Sequence, residues 1–474
     1  MILKDRAHIH IIAVCGTAMG SLAIMLRERG FRITGSDENI YPPMSTYLID
    51  AGIELIQGFD VSNISPHTDL VVIGNAVSRG NPELEVTLDL GIPYSNMPEI
   101  LRDYFISGLH SVVITGTHGK TTTTAITAHI FCEAGLDPSF LIAGIPNNFK
   151  KSHNLGTGKH FIIEGDEYDS AFFAKWSKFF YYRPQTLIIN NIEFDHADIF
   201  KDLSNIIQSF KQLVGTVPKS GVIIANVEDD SVKEVIKSSH TPIQTFGIDT
   251  DAYWRAEKIE TTSEGTKFTL WQEEKDCGRI HIPLHGRFNI QNTLAAIAAG
   301  SNAGINIDSL RRGIGSFKGV KRRQELIGVW NDIVVIDDFA HHPTAVRSTL
   351  TAISQAYPDY RIWALFEPAS STNSRAVFEE DYVKALSIAS NIIVGQVPRP
   401  DRARMDPPFV PQRVVNKLNS NGKIAWYFDH SHQIFLHISK NTHRGDVVVF
   451  LSNGSFRGIQ DSFVNALKIS YDQN

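Results

Sequence analysis

Residues 111–124 read SVVITGTHGKTTTT and predict the architecture of the central part of the chain. A run typical of a buried strand leads into a glycine-containing turn, and a threonine-rich helix pattern follows. Glycines let backbone N–H groups approach phosphate oxygens, and the N-terminus of the following helix adds positive potential. The stretch therefore predicts a nucleotide phosphate loop between a strand and a helix.

The predicted loop assigns roles to individual side chains. Lys120 reaches the terminal phosphates, and Thr121 places its hydroxyl on a magnesium ion. Ile114 stands where the usual motif has its first glycine, so the loop is a shortened variant. A glycine-rich turn without a ligand is the alternative, and the flanking strand and helix favour ATP. The predicted ATP-binding residues of the loop are Gly116, Thr117, His118, Gly119, Lys120, Thr121 and Thr122.

Length, charge and cysteine content restrict the class of protein. The chain has 474 residues, which is too long for one ordinary core. Its net charge of -6 offers no basic field for a nucleic acid, and no apolar run reaches membrane-spanning length. The three cysteines, Cys15, Cys132 and Cys277, lie too far apart for a disulfide framework or a zinc site. We expect a cytoplasmic protein with no nucleic-acid or membrane partner, and nothing implies an obligate protein partner.

Alternating strand and helix patterns predict an α/β fold with parallel sheets covered by helices. The predicted strands are residues 10–14, 32–35, 69–74, 111–115, 161–163, 186–190, 221–225, 333–336, 361–365, 391–394 and 447–451. The predicted helices are residues 21–29, 120–134, 289–299, 343–356 and 459–469. Residues 253–283 interrupt this rhythm and predict a β insertion made of antiparallel hairpins.

Two boundaries divide the chain into three predicted domains. Residues 1–108 form a Rossmann-like N-terminal domain. Residues 109–317 form a central P-loop ATPase-type domain that carries the β insertion. Residues 318–474 form a Rossmann-like C-terminal domain.

A second glycine turn, CGTAMGS at residues 15–21, follows the N-terminal strand. Another predicted strand leads to Ser36 and Asp37, where dinucleotide sites place an acidic residue on a ribose. Ala18 occupies the position of the middle glycine of that fingerprint, which disfavours a plain dehydrogenase. A tight turn and a site for another nucleotide or diphosphate are both compatible with this pattern.

Two acidic clusters follow successive strands of the predicted central sheet, EGDEYD at residues 164–169 and NNIEFDHAD at residues 190–198. The carboxyl ends of parallel strands meet at one edge, where open α/β sheets place their sites. Carboxylates beside a phosphate loop indicate magnesium, since hard cations prefer oxygen ligands. Solvated acidic loops are the alternative, which two clusters beside one loop disfavour.

Later polar residues extend the candidate site. Asn289 and Asn292 lie one helical turn apart at the start of an alanine-rich helix, where Asn289 is alternatively a helix cap. Asp338 and His341 follow a predicted buried strand. There Asp338 is a candidate to bind a ribose, and His341 is a candidate to contact a phosphate. A helix-capping loop is an equally good interpretation of that fragment.

Taken together, these motifs resemble the Mur ligase family, the ATP-dependent amide-forming enzymes of peptidoglycan metabolism. The resemblance rests on GTHGKTT at 116–122, EGDEYD at 164–169, NIEFDH at 191–196, NIQN at 289–292 and DDFAHHP at 337–343. It implies that the lactyl carboxylate of UDP-N-acetylmuramate attacks the γ-phosphate of ATP. An acyl phosphate forms, and an amine then displaces phosphate.

The resemblance also implies roles for residues along the whole chain. The catalytic residues would be Lys120, Glu164, His196 and His341, and Mg²⁺ would be held by Thr121, Glu164 and His196. Asn289 and Asn292 would face the adenine, while Arg323, Asp338 and His341 would close over ATP. The UDP-sugar would be bound by Gly16, Thr17, Met19, Gly20, Ser21, Ser36 and Asp37. Which acidic residue of 164–169 binds the metal stays open.

Further stretches favour the family branch that joins a diaminopimelate-containing tripeptide, L-alanyl-γ-D-glutamyl-meso-diaminopimelate, to UDP-N-acetylmuramate. They lie at residues 12–20, 41–46, 73–82 and 451–459. Ala369 departs from this branch, which has arginine there, and Arg375 is one candidate substitute. The L-alanine-adding ligase of the same family is the nearest alternative, and a regulatory ATPase module is an alternative of another class.

Overall fold

The computed structural model describes residues 3–41, 44–194, 200, 202–369, 376–397 and 407–472. These residues form two compact units. The first contains the described parts of Met1–Phe194, Asp202–Trp254 and Leu294–Gly313. The second is built mainly from Arg255–Thr293 and the described parts of Ile314–Asn474.

The first unit begins with a parallel sheet of βα units. Its elements are β1 (His8–Ile12), α1 (Thr17–Glu28), β2 (Arg32–Asp37), α2 (Met44–Asp50), β3 (Glu54–Gln57), β4 (Leu70–Ile73), α3 (Pro82–Asp89), β5 (Tyr94–Asn96) and α4 (Met97–Leu101). The strand order is β3-β2-β1-β4-β5, with every neighbouring pair parallel. A 3₁₀ turn at Val61–Asn63 and a π-helical turn at Arg102–Ile106 complete this part.

The phosphate-loop stretch lies in a second sheet of the same unit. Its elements are β6 (His110–Thr115), α5 (Lys120–Glu133), β7 (Ser139–Leu141), β8 (His153–Asn154), β9 (His160–Glu164), β10 (Asp169–Ala171), β11 (Ala174–Ser177), β12 (Thr186–Ile189), α6 (Leu203–Val214), β13 (Val222–Asn226), α7 (Asp230–Ile236) and β14 (Ile243–Ile248). The order β14-β13-β12-β6-β9-β7-β8 places β6 between β12 and β9. The hairpin β10–β11 and a 3₁₀ turn at Lys178–Tyr182 follow β9.

The two sheets of the first unit are joined by side-chain contacts. Ser21 of α1 shares a 2.7 Å hydrogen bond with Ser152, and Tyr94 packs edge-on against Phe173 with ring centroids 5.1 Å apart. The N-terminal glycine turn is therefore attached to the part of the chain that carries the phosphate loop.

The second unit contains antiparallel strands and a mixed sheet. Its elements, with the helices that link the units, are β15 (Trp254–Thr262), β16 (Gly265–Gln272), β17 (Lys275–Ile282), α8 (Arg287–Asn302), α9 (Ile307–Gly315), β18 (Glu325–Trp330), β19 (Ile333–Asp338), α10 (Pro343–Ala356), β20 (Arg361–Phe366), α11 (Glu379–Leu386), β21 (Asn391–Val394), α12 (Pro411–Ser420), β22 (Ile424–Tyr427), α13 (Ser431–Asn441), β23 (Asp446–Leu451) and α14 (Ile459–Asp472). The last sheet has the order β18-β19-β23-β20-β21-β22, in which β18 is antiparallel to β19.

Both faces of this last sheet are covered. Val334 and Ile336 of β19 enter one hydrophobic core, whereas Ile333 and Val335 enter the other. Successive side chains of a strand point to opposite faces, so a doubly covered strand reads as a continuous apolar run. This explains why the sequence pattern identified β19 and its buried neighbours.

The predicted α/β class and parallel sheets are confirmed, and each predicted strand and helix overlaps an observed element. The hairpins predicted at residues 253–283 are present as β15–β17. The pattern missed the edge strands β3, β5, β18 and β22, which are partly exposed. Strands β3 and β5 also lack a continuous apolar run. Across the described ranges, no helix has both the length and the apolar character needed to cross a membrane.

Helix α14 provides a matched test of the second unit's core. Phe463 is fully buried and faces Phe450, whereas Ile469 on the same helix is 61% exposed. We expect Phe463→Ala to lower the free energy of unfolding by about 3–5 kcal/mol and Ile469→Ala by less than about 1 kcal/mol. Denaturant unfolding measures both values, and equal losses would contradict this packing.

Candidate active site

The phosphate loop leaves β6 and enters α5 through two glycines that no other residue replaces easily. Gly116 has φ 126°, and a Cβ there would lie 2.9 Å from the backbone nitrogen and oxygen of Asn191. Gly119 has φ 81° and precedes the first residue of α5. The loop thus has the strand-turn-helix setting predicted from the sequence.

The conformation of the loop is held by the segment that follows β12. The backbone oxygen of Asn191 accepts from Thr117 N at 3.1 Å, and its Oδ1 accepts from His118 N at 2.7 Å. The amide of Asn190 donates to Thr123 Oγ1 at 3.0 Å. The sequence pattern of this segment predicted a role for its acidic residues and none for the two asparagines. Their function is to fix the loop.

Lys120 is held inside the loop by backbone oxygens of the turn and by a carboxylate. Its Nζ donates to Gly116 O at 2.6 Å and to Glu167 Oε2 at 2.9 Å. Burial would lower the pKa of the Lys120 ammonium, but the carboxylates of Glu167 and Asp166 outweigh this and raise the pKa above its ordinary value. The lysine is therefore a fixed cation at the turn. Glu167 belongs to the predicted acidic cluster, but its pairing with Lys120 was not foreseen.

Two of the three predicted metal ligands are in direct contact. Thr121 Oγ1 donates to Glu164 Oε2 at 2.9 Å, and the other carboxylate oxygen accepts from Ala143 N at 2.6 Å. Adjacent hydroxyl and carboxylate oxygens are the donors that a hard divalent cation prefers. The third predicted ligand, His196, lies outside the described residues.

Other acids of the same cluster pair with lysines. Asp166 accepts from Lys178 at 2.8 Å, and Asp169 accepts from Lys175 at 2.6 Å. Glu167 is engaged by Lys120. Glu164 is thus the carboxylate of the cluster that contacts Thr121.

In the N-terminal sheet, Asp37 holds the glycine turn. Its Oδ2 accepts from Cys15 N at 2.9 Å, and its Oδ1 accepts from Asn39 N at 3.0 Å. Helix α1 begins at Thr17, earlier than the predicted start at residue 21. The turn therefore presents the N-terminus of α1 at the carboxyl end of β1, which suits an anion.

Three of the other residues predicted for the UDP-sugar are tied up in packing. A Cβ on Gly20 would lie 2.4 Å from Met44 Sδ, so α1 and α2 approach closely there. Ser21 is buried against Ser152, and Ser36 is buried and donates to Glu83 Oε2 at 2.5 Å. Met19 lies in the first turn of α1.

Glu83 is a buried carboxylate that sequence reasoning missed. Asn63 donates to its Oε1 at 2.6 Å, and His10 Nε2 lies 3.4 Å from its Oε2. Burial would raise the pKa of the Glu83 carboxyl, but hydrogen bonds from His10, Ser36 and Asn63 outweigh this and lower it. A carboxylate with this many partners fixes the relative positions of β1, β2 and α3.

In the second unit, the predicted adenine residues are linked to the predicted ribose residue. Asn292 donates to Asn289 Oδ1 at 3.1 Å, and Asn289 donates to Gln324 Oε1 at 3.2 Å. Gln324 N in turn donates to Asp338 Oδ2 at 3.0 Å. Gln324 lies between motifs, so no sequence pattern predicted this role.

Asp338 is buried at the carboxyl end of β19. It also accepts from Ala340 N at 2.6 Å and from Thr349 Oγ1 at 3.2 Å, and burial raises the pKa of its carboxyl. The Arg323 guanidinium lies 4.7 Å above the Phe339 ring, and His341 Nδ1 lies 3.1 Å from Phe339 O. Arg323, Asp338 and His341 therefore gather around one short segment.

Three family descriptions match successive parts of the chain. Residues 8–106 match the Mur ligase family catalytic domain, residues 114–300 the Mur ligase middle domain, and residues 322–454 the Mur ligase glutamate ligase domain. These ranges together span most of the chain.

Named relatives cover nearly the whole chain. UDP-N-acetylmuramate–L-alanyl-γ-D-glutamyl-meso-2,6-diaminoheptandioate ligases are 38% identical in Haemophilus influenzae, over 98% of this chain and 99% of that protein, and 39% identical in Escherichia coli, over 97% and 98%. A crystal structure of a murein peptide ligase from Psychrobacter arcticus superposes with a TM-score of 0.74 at 36% identity, covering 97% of this chain and 98% of that one. An Acetivibrio thermocellus UDP-N-acetylmuramate–L-alanine ligase is 32% identical over 96% of this chain and 95% of that protein.

Gly116 provides a test of the loop. We expect Gly116→Ala to weaken ATP binding at least about tenfold, because the added Cβ meets Asn191 and the residue keeps a positive φ. Gly108→Ala is the matched control, since Gly108 also has positive φ, 84°, but has nothing within 4 Å of an added Cβ. Calorimetric titration with ATP measures both variants, and equal affinities would contradict the role of the close approach.

Asp337, beside Asp338, provides a pH test. Burial raises the pKa of its carboxyl from 3.8 to about 6. The stability that this group contributes is complete below pH 3.8 and is lost as the pH rises through about 6. Asp337→Asn removes this dependence, so the variant should gain up to about 3 kcal/mol relative to wild type between about pH 4 and pH 7. Urea unfolding across that window measures the gain, and parallel pH profiles would contradict it.

Proposed function

The chain belongs to the Mur ligase family, and from this membership we propose that it joins L-alanyl-γ-D-glutamyl-meso-diaminopimelate to UDP-N-acetylmuramate, with conversion of ATP to ADP and phosphate. The observation that carries the proposal is full-length similarity. Relatives named for this ligation are 38% and 39% identical, whereas a relative named for L-alanine ligation is 32% identical. A role in peptidoglycan recycling fits this substrate.

The proposed reaction has two steps. An oxygen of the lactyl carboxylate attacks the γ-phosphorus of ATP, the bond to the β-phosphate oxygen breaks, and ADP leaves. The amine nitrogen of the tripeptide then attacks the carbonyl carbon of the acyl phosphate. Phosphate leaves with the former carboxylate oxygen, and the amine proton passes to solvent.

The phosphate loop supplies the chemistry of the first step. Negative charge accumulates around the transferring group, and catalysis consists mainly of positioning and neutralisation. Lys120, held as a cation by Glu167, lies at the turn where the terminal phosphates bind. Gly116 and Gly119 let the loop backbone approach the phosphate oxygens.

A magnesium ion fits the neighbouring oxygens. Thr121 and Glu164 would hold it, and His196 remains a proposed third ligand. When bound, Mg²⁺ would neutralise charge on phosphate oxygens. Glu164 is the proposed member of the acidic cluster because Asp166, Glu167 and Asp169 are paired with lysines.

Binding of the substrates is proposed for the remaining predicted residues. Gly16 and Thr17, at the N-terminus of α1, would contact the diphosphate of the UDP-sugar, supported by Met19 and Gly20. Ser21, Ser36 and Asp37 would act by holding that turn in place. Asn289, Asn292, Arg323, Asp338 and His341 would serve the adenine, ribose and phosphates of ATP. The division into domains 1–108, 109–317 and 318–474 remains part of this proposal, as does a cytoplasmic location, which suits three cysteines that form no disulfide.

The choice of amine is tested by a parallel assay. We expect phosphate release from ATP, Mg²⁺ and UDP-N-acetylmuramate when the tripeptide is added, and little release when L-alanine is added. Release with L-alanine alone selects the sister activity. Release without any amine supports a regulatory ATPase, and no release at all contradicts ligation.

Lys120→Ala separates the two substrate sites. We expect it to lower the ligation rate at least about 100-fold, because charge on the transferring phosphoryl group loses its fixed cation. Binding of UDP-N-acetylmuramate should persist, since the proposed site lies on the N-terminal sheet. Calorimetric titration of the variant measures that binding, and parallel loss of both properties would mean that the sites are not separate.

A further inference from the structure

A left-handed turn follows the central strand β23 of the last sheet. Phe456, Arg457 and Gly458 have successive φ values of 47°, 51° and 75°. Glycine adopts this region freely, whereas side chains such as those of Phe456 and Arg457 make it unfavourable. Such strain persists where the surroundings enforce it, and it is concentrated at functional sites.

The surroundings account for the position of Phe456. Its side chain is buried and lies 5.6 Å from the Phe450 ring, and its backbone N donates to Glu367 Oε2 at 3.2 Å. The same carboxylate oxygen accepts from Ser452 Oγ at 2.5 Å, and Ser452 Oγ accepts from Gly454 N at 2.8 Å. Buried Glu367 thus ties the loop after β23 to the end of β20.

A second anchor comes from Arg322. Its guanidinium donates to the backbone oxygen of Ser452 at 2.6 Å and lies 3.4 Å from Asp337. The loop is therefore held from both sides before it reaches the left-handed turn. Its geometry is determined by these buried and partly buried polar contacts.

Arg457, the residue after Phe456, has an exposed side chain although its backbone is strained. Its Nη1 donates to Gln396 Oε1 at 2.8 Å. Burial raises the pKa of the Tyr427 hydroxyl, and the nearby positive charge of Arg457 opposes that rise. Gln396 follows β21 and Tyr427 ends β22, so the three residues lie at the carboxyl edge of the parallel strands. Open α/β sheets bind ligands at this edge.

Within the described residues, Arg457 forms no ion pair, so its charge is available for an anion. Its hydrogen-bond partner Gln396 is neutral, and the Glu367 carboxylate is occupied by Ser452 and Phe456. Asp429 is an exposed acidic residue just beyond the end of β22, where it forms a hydrogen bond with Tyr427. In the described part of the loop after β20, the methyl group of Ala369 lies near Gly454, as does the Glu367 carboxylate.

We infer that Arg457 binds a carboxylate of the incoming peptide and so favours the tripeptide over a single amino acid. A guanidinium pairs with a carboxylate through two parallel, charge-assisted hydrogen bonds. The tripeptide carries carboxylates remote from its reacting amine. The single carboxylate of L-alanine is attached to the carbon that bears its amine. This inference rests on the proposed function, and it names the residue of this chain that recognises the acceptor.

The test compares Arg457→Gly with wild type in steady-state ligation. We expect the KM for the tripeptide to rise at least about tenfold, with the KM values for ATP and UDP-N-acetylmuramate unchanged. Glycine also relieves the left-handed strain, so the melting temperature should rise by a few degrees. A residue that only maintains structure would instead lower stability or raise all three KM values together, and that result would overturn the inference.

Three controls sharpen the result. Arg457→Lys keeps the charge and should restore part of the tripeptide affinity. Arg444→Ala removes an exposed arginine just before the opposite end of β23 and should leave all three KM values unchanged. A tripeptide whose carboxylates are amidated should be a poor substrate for wild type, and Arg457→Gly should discriminate much less between the two peptides.

The outcomes separate this inference from the proposed function. If wild type does not ligate the tripeptide, both are contradicted. If wild type ligates it and Arg457→Gly does so with an unchanged KM, only the role of Arg457 is overturned.

Discussion

The proposed active site depends on the hydrogen bonds between Asn191 and the phosphate loop. Its backbone and side chain bind Thr117 and His118, and the close approach leaves no room for a Cβ at Gly116. Because the loop is held from the neighbouring strand, Lys120 and Thr121 start from fixed positions. Lys120 then meets Glu167, and Thr121 meets Glu164. This arrangement supports the proposed phosphoryl transfer, which requires a fixed cation and oxygens suited to a metal ion.

Side chains also hold loops in place at the ends of other strands. A carboxylate at or just beyond the carboxyl end of a strand accepts a backbone N–H from a loop and fixes it. The instances are Asp37 with Cys15, Glu164 with Ala143, Asp229 with Ile192, Asp338 with Gln324, and Glu367 with Phe456. Charge-assisted hydrogen bonds of this kind are strong, and leaving a buried partner unpaired is costly. The loops beyond these strand ends are therefore anchored to the sheets by side-chain hydrogen bonds.

The sequence predicted the buried strands, the phosphate loop and the acidic cluster, because continuous apolar runs and glycine spacing follow directly from burial and backbone geometry. Edge strands such as β3 and β18 were missed, since they are only partly buried. The contacts of Asn191, Glu167 and Gln324 were also missed, because each joins segments that are distant in sequence. The left-handed turn at Arg457 shows no sign in the sequence, because arginine is not a residue that predicts positive φ. Its place at the edge of the sheet emerges only from the fold.

In the proposed mechanism, the carboxylate of UDP-N-acetylmuramate is activated by direct attack on the γ-phosphate bound at Lys120. Labelling that carboxylate with a heavy oxygen isotope follows the attacking oxygen. Each turnover with ATP and the tripeptide should release phosphate carrying one labelled oxygen, because the attacking oxygen stays with phosphorus when the amine displaces it. Mass spectrometry of the released phosphate gives the answer. Unlabelled phosphate accompanied by amide formation would rule out direct attack of the carboxylate on the γ-phosphate.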